Sequence, residues 1–153
     1  MGEKSHHQLN TILVPLNTTG SSEEVLRQAS LVAKRNKALV YAVHVLVVPQ
    51  ELALEAEMPE QLQKAEQLLA EAEKLVHEYG VEFESGILQA RSAGVAIVEE
   101  ATEREVDVIM MGVTYRSRRG EFNMGTTVPY ILKNAPCRVW LFRDELSKLT
   151  NVQ

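Results

Sequence analysis

Late in the chain, a run of residues has the types and spacing suited to holding an anion. Gly112 closes the apolar segment Val106–Met111; Arg116, Arg118, Arg119 and Gly120 follow, and Gly125-Thr126-Thr127 opens the next segment. A helix start presents N–H groups with no intrahelical partner together with the positive end of the helix dipole. Glycine permits close backbone approach, and guanidinium forks pair with phosphate oxygens. Gly112, Gly125, Thr126 and Thr127 therefore read as the frame of a phosphate cradle, with the arginines around it. The same residues also read as a strand-end turn and an ordinary helix start, and the arginines as a solvated loop or as partners for the glutamates of a second subunit. Residue types alone leave both readings open.

Positioning such a cradle requires a strand before it and a helix after it, and the chain supplies a series of such units. Thr11–Leu16 is a short β-branched run whose strand should end near Pro15. Asn17-Thr18-Thr19-Gly20 has turn chemistry, and Ser21 with Glu24 forms a capping box for a helix reaching Asn36, with Val25, Ala29, Val32 and Ala33 inward. Ala38–Val48 reads as the second strand. Gln50–Met58 is either a loose connection or an early helical turn, with Leu52 and Leu54 available to pack. Leu62, Ala65, Leu69, Ala72, Val76 and Tyr79 recur at helical spacing up to a stop at Gly80. Val81–Leu88 alternates like a half-exposed edge strand. Ser92 caps a helix to about Arg104, with Val95, Ile97, Val98 and Ala101 inward; Val106–Met111 is a strand, Thr127–Asn134 a helix with Pro129 in its first turn, and Arg138–Arg143 the last strand. Strict strand–helix alternation implies a parallel sheet with right-handed crossovers. Ligands of such sheets sit at the carboxyl ends of the strands where the strand order reverses, which would bring Asn17 and Gly112 to one crevice.

The composition narrows the function. The chain has 153 residues with 45% apolar and 24% charged content, the profile of one globular domain, expected over 9–145 with flexible termini at 1–8 and 146–153. A net charge of −5 argues against a general nucleic-acid binder, and a local basic loop on an acidic protein favours a small anion. One cysteine, Cys137, excludes an internal disulfide and a CxxC site, and it reads as a buried thiol. The first residues have no apolar core for a signal peptide, and the longest apolar run, Ala38–Pro49, is too short to span a bilayer. Direct membrane insertion is not expected. His44 and His77 stand apart from ligand-spaced partners and read as structural; no metal site is expected. No Ser-His-Asp or Cys-His set is visible.

With these residues in place, the chain from Leu9 to Arg143 resembles the universal stress protein family. In its nucleotide-binding branch a glycine is followed by two residues, a second glycine, nine residues, and glycine with Ser or Thr. Gly112 and Gly125-Thr126 fit the outer positions, and Tyr115 stands where the second glycine belongs. His44-Val45 and Asn134-Ala135-Pro136-Cys137-Arg138-Val139 also look like the family's segments. Asn17 stands where the family usually has an aspartate that touches ribose or base; asparagine keeps an acceptor and adds a donor. A tyrosine at 115 must point away from the phosphates or stack on the ligand. The resemblance implies a three-layer α/β/α, Rossmann-like fold of the adenine nucleotide alpha hydrolase type, with a five-stranded parallel sheet ordered 3-2-1-4-5. It also implies a site for ATP or a related adenine nucleotide, with Mg²⁺ accompanying it, lined by Pro15, Asn17, Val45, Met111, Gly112, Thr114, Tyr115, Arg116, Arg118, Arg119, Gly125, Thr126, Thr127 and Val128.

The last strand carries a second expectation. Val139, Trp140, Leu141 and Phe142 are apolar in succession, so both faces should be covered, and an edge strand of this kind invites pairing with its copy. The family's last strand commonly makes a dimer contact, so a homodimer is expected there. The leading function is a cytoplasmic, dimeric adenine-nucleotide sensor or regulator in stress response, with at most slow ATP hydrolysis. The runner-up is a dimeric module that binds a protein or regulates a transporter through a degenerate nucleotide site. Arg118–Phe122 and Thr127–Tyr130 look closer to the family's permease-attached type. An NAD or flavin enzyme is disfavoured, because NTTGSS rather than GxGxxG follows the first strand.

Overall fold

The computed structural model of the protein describes residues 8–17, 22–113 and 126–143. Strands and helices alternate: β1 (Thr11–Pro15), α1 (Ser22–Asn36), β2 (Leu39–Val47), α2 (Pro59–His77), β3 (Glu82–Ala90), α3 (Ala93–Glu103), β4 (Val108–Val113), α4 (Thr127–Asn134) and β5 (Arg138–Arg143). All strand pairs are parallel, and the sheet order is β3-β2-β1-β4-β5, as the alternation and the resemblance imply.

The pleat sorts the apolar residues onto two faces. Ile12, Val14, Val40, Ala42, Val108 and Met110 meet Val25, Leu26, Ala29 and Ala33 of α1 and Leu69, Ala72 and Val76 of α2. On the other face Leu13, Tyr41, Val43, Ile109 and Met111 meet Ile97 and Ala101 of α3 and Val128 and Ile131 of α4. The result is three layers with a doubly covered central sheet. Each fully buried aliphatic side chain, such as Ile12 or Ile109, contributes about 1.5–3 kcal/mol relative to exposure.

Several boundaries differ from the sequence reading, each for a tertiary reason. Gly112 lies inside β4 rather than ending it, because β5 offers ladder partners as far as Gly112↔Phe142 and Val113↔Arg143. Helix α2 starts earlier, with Pro59 in its first turn, where a missing N–H costs nothing. Leu62, expected inward, is exposed, and the buried stripe of α2 begins at Ala65. Gln50–Met58 forms no regular helix, and Leu52 and Leu54 do not pack inward. Val32, Val95 and Val98 are only partly buried, and Cys137 is half-buried, its thiol pKa raised chiefly by burial. The Gly80 stop is a left-handed residue at φ 70°, and the Ser92 hydroxyl accepts from Val95 N at 3.4 Å, as expected for a stop and a cap. Ser21 of the capping box lies outside the described residues.

One polar clasp crosses the apolar face beneath α3. The buried Tyr41 hydroxyl donates to Glu100 Oε2, and the Arg104 guanidinium stacks 4.0 Å above the Tyr41 ring while bonding Glu84 Oε1 at 3.0 Å. Burial first, then the bond to Glu100, pushes the Tyr41 pKa up to about 12. The clasp joins β2, β3 and α3, and it needs Gly86: a Cβ there would lie 2.7 Å from the Tyr41 hydroxyl. With the hydroxyl fixed by Glu100, it cannot move aside. Gly86→Ala should therefore lower stability in urea unfolding by about 1–3 kcal/mol. In a Tyr41→Phe background, where the nearest remaining ring atom is at ordinary contact distance, the same change should be close to neutral. Equal costs in both backgrounds would refute the clash.

Candidate functional site

The central strand β1 is bound unequally on its two sides. Toward β2 it pairs along its whole length, from Thr11↔Leu39 to Pro15↔Val43, and Leu16 N extends the ladder by donating to Val43 O at 2.8 Å. Toward β4 only Ile12↔Val108 and Leu13↔Ile109 pair. Backbone groups of alternate residues point to alternate neighbours. Leu16 bonds β2, whereas Thr11 O accepts from Asp107 N at 3.0 Å on the β4 side, so Pro15 addresses β4. Proline has no N–H to offer there. The ladder stops at Leu13, and no β1–β4 pair continues to their carboxyl ends. This end of the ladder falls where the strand order reverses, with Pro15, Leu16 and Asn17 on one side and Met111 and Gly112 on the other.

Each wall of the crevice is fixed separately. At the amino end, Asp107 Oδ2 accepts from Asn10 N at 2.8 Å and Thr11 N at 2.9 Å, holding β1 to β4 below the opening. Above it, His44 Nδ1 lies 2.8 Å from Leu16 O, which makes Nδ1 the protonated ring nitrogen. Asn17 N donates to Ser22 Oγ at 3.3 Å, and Ser22 Oγ reaches back to Asn17 O at 3.4 Å, closing the turn into α1. The far wall is α4. Val128 and Ile131 are buried with Met111, and Val45 packs against the same cluster. Helix α4 lies against α3 at Gly94, where a Cβ would come within 3.0 Å of the Tyr130 ring, so glycine sets how closely the helix start approaches the sheet. Thr126 is the α4 N-cap; its carbonyl accepts from Tyr130 N at 3.3 Å, but its side chain makes no capping bond. The first-turn amides are thus not closed off by their own cap, and Pro129 contributes none.

The structure therefore brings Pro15, Asn17, Val45, Met111, Gly112, Thr126, Thr127 and Val128 to the carboxyl end of the sheet around one opening. Thr114, Tyr115, Arg116, Arg118, Arg119, Gly120 and Gly125 lie outside the described residues. The sequence reading gave His44 a structural role without a partner, and it passed over Ser22. The available signal for His44 was a polar residue interrupting an apolar run one position before Val45.

The chain matches the family model described as "Universal stress protein family" over residues 8–143. The chain belongs to the universal stress protein family. A universal stress protein of Methanocaldococcus jannaschii is 29% identical over 134 residues, covering 84% of this chain and 78% of that protein. The solved universal stress protein of Archaeoglobus fulgidus superposes with a TM-score of 0.74 at 25% identity, covering 86% of this chain and 97% of its own. A second Archaeoglobus fulgidus structure, in complex with dAMP, has a TM-score of 0.69 at 23% identity and covers 86% of this chain and 96% of its own.

Within this universal stress fold, His44 should hold the β1 end in place. His44→Leu removes the donor to Leu16 O and should cost about 1–2 kcal/mol in chemical unfolding. It should also speed hydrogen exchange at the Asn17 amide by more than at Ile12 in mid-strand, where exchange follows only the loss of global stability. Unchanged exchange at Asn17 would show that the turn does not depend on the ring.

Proposed function

We propose that the protein is an adenine-nucleotide-binding sensor or regulatory module of the universal stress type, working as a homodimer in the cytoplasm in stress response. The observation that carries this reading is the end of the β1–β4 ladder at Leu13, at the strand-order reversal, with the start of α4 packed beside Met111. In that opening Asn17 offers an acceptor and a donor to ribose or base, Val45 offers backbone groups to a base edge, and the first-turn amides of α4 suit phosphate. The Archaeoglobus fulgidus neighbour holds dAMP, and further neighbours of this fold hold cAMP and AMP. Among the described residues, no cluster of three or more His, Cys, Asp or Glu side chains could hold a metal ion. Among the described residues, no helix is long and apolar enough to cross a membrane.

Calorimetric titration with ATP, ADP, AMP and cyclic AMP, beside a Gly125→Glu variant, tests the site. Saturable binding of at least one nucleotide, lost in the variant, is expected. Tyr115 and Asn17, where the family has glycine and aspartate, favour a second reading: a dimeric interaction or transporter-regulating module with a degenerate site. Absence of heat from all four ligands at roughly 100 μM protein would select it.

We place the proposed dimer contact at β5, which is the sheet edge beside β4. Trp140 and Phe142 pack against the α1–α2 face and Val139 against the other, whereas Leu141 is 38% exposed in the single chain. The expectation that both faces of this strand are covered thus fails within one chain at Leu141. Tyr130 and Leu132 of α4, the helix leading into β5, are exposed as well. Leu141→Glu is the cleaner probe, because Trp140 also serves the core. Sedimentation should show a dimer for the wild type and a folded monomer for Leu141→Glu, with a melting temperature that depends on protein concentration only in the wild type. A dimer that survives the charge would move the contact elsewhere.

A further inference from the structure

The connection from β2 to α2 is irregular in backbone yet held firmly by β3. Gln89 Nε2 donates to Leu54 O at 2.8 Å and to Ala56 O at 2.7 Å. Arg91 donates from one guanidinium nitrogen to Val48 O and Pro49 O, and Leu52 N closes a turn onto Pro49 O at 3.1 Å. A connection pinned in this way could have turned its leucines inward. Instead Val47 at the end of β2, Leu52 and Leu54 in the connection and Leu62 in the first turn of α2 are each 40–49% exposed. Scattered single exposures are ordinary, but a group of them on one fixed segment marks a contact surface. The charge along the segment itself is acidic, with Arg91 at its start and Lys64 just after it as the flanking cations. Glu51, Glu55, Glu57 and Glu60 are exposed, and no Lys or Arg lies between Val47 and Gln63.

We propose that this pinned stretch, with Val47, Leu52, Leu54 and Leu62 exposed among its glutamates, docks a cationic amphipathic helix of a partner protein. The leucines would take its apolar stripe and the glutamates its flanking Lys or Arg side chains. The excess of glutamates over Arg91 and Lys64 favours this occupant over the others. A second copy of this chain would place glutamates against glutamates across a two-fold axis, and an anionic membrane would be repelled. The loop's fixation lowers the cost of ordering it on binding. The inference does not depend on nucleotide binding, because it uses neither the β1–β4 crevice nor α4.

The probe is a fluorescent synthetic helix of Leu and Lys in amphipathic order, beside a peptide of the same composition in scrambled order, titrated against the full chain by anisotropy. Saturable binding of the ordered peptide is expected, weakened by salt and by about tenfold or more in a Leu52→Ser/Leu54→Ser variant. Both positions are exposed, so the variant should melt with the wild type. Leu31→Ser, an exposed leucine on α1, should bind like the wild type, and Gln89→Ala, which frees the loop without altering its surface, should bind more weakly. Equal affinity of wild type and double variant overturns the proposal, as does equal binding of the scrambled peptide. Self-association of the wild type that the double variant abolishes would assign the face to a second copy. Vesicle binding lost in the same variant would assign it to a membrane; either result also overturns the proposal.

Discussion

The site depends on a hydrogen bond that the chain is unable to make. Pro15 stands in the middle strand of the sheet, with its nitrogen toward β4 and no proton to donate. Proline normally avoids central strands because it breaks a ladder. Here the break coincides with the reversal of strand order, where an opening is of use. On the β2 side the ladder runs past Pro15 to Leu16, so β1 remains anchored while its pairing with β4 ends at Leu13.

Such an opening needs firm boundaries. Below it, Asp107 binds two successive amides of β1 with one carboxylate oxygen. Above it, both backbone groups of Leu16 are engaged, one by Val43 and the other by His44. On the far side Gly94 lets α4 settle against α3, and Val128 and Ile131 fasten it to the sheet. A ligand would therefore meet backbone groups already oriented by their surroundings, which lowers the ordering cost of binding.

Fold and site were legible to different depths. Apolar runs, the helical stripe ending at Gly80 and strict alternation were enough for the layers, and the resemblance supplied the strand order. The edge position of β3 was visible in its alternation. Gly112 was misplaced because the ladder to Phe142 is a long-range pairing that local pattern does not encode. Leu52, Leu54 and Leu62 look like core residues in sequence; only the path of the connection shows that they stand exposed. The role of His44 was hidden for a similar reason, since its partner is a backbone carbonyl of a different strand. The direction of the missing proton at Pro15 follows from strand register, which a sequence read on its own leaves undefined.

The clasp between Tyr41 and Gly86 bears on how this chain can change over generations. The phenol fills the space that any side chain at 86 would occupy, and Glu100 holds it there. Position 86 cannot drift alone without harm: a lineage must lose the phenolic oxygen before it can acquire a β-carbon opposite. Among descendants of a common ancestor the two positions should change as a pair and in a fixed order, although 45 residues separate them in the chain.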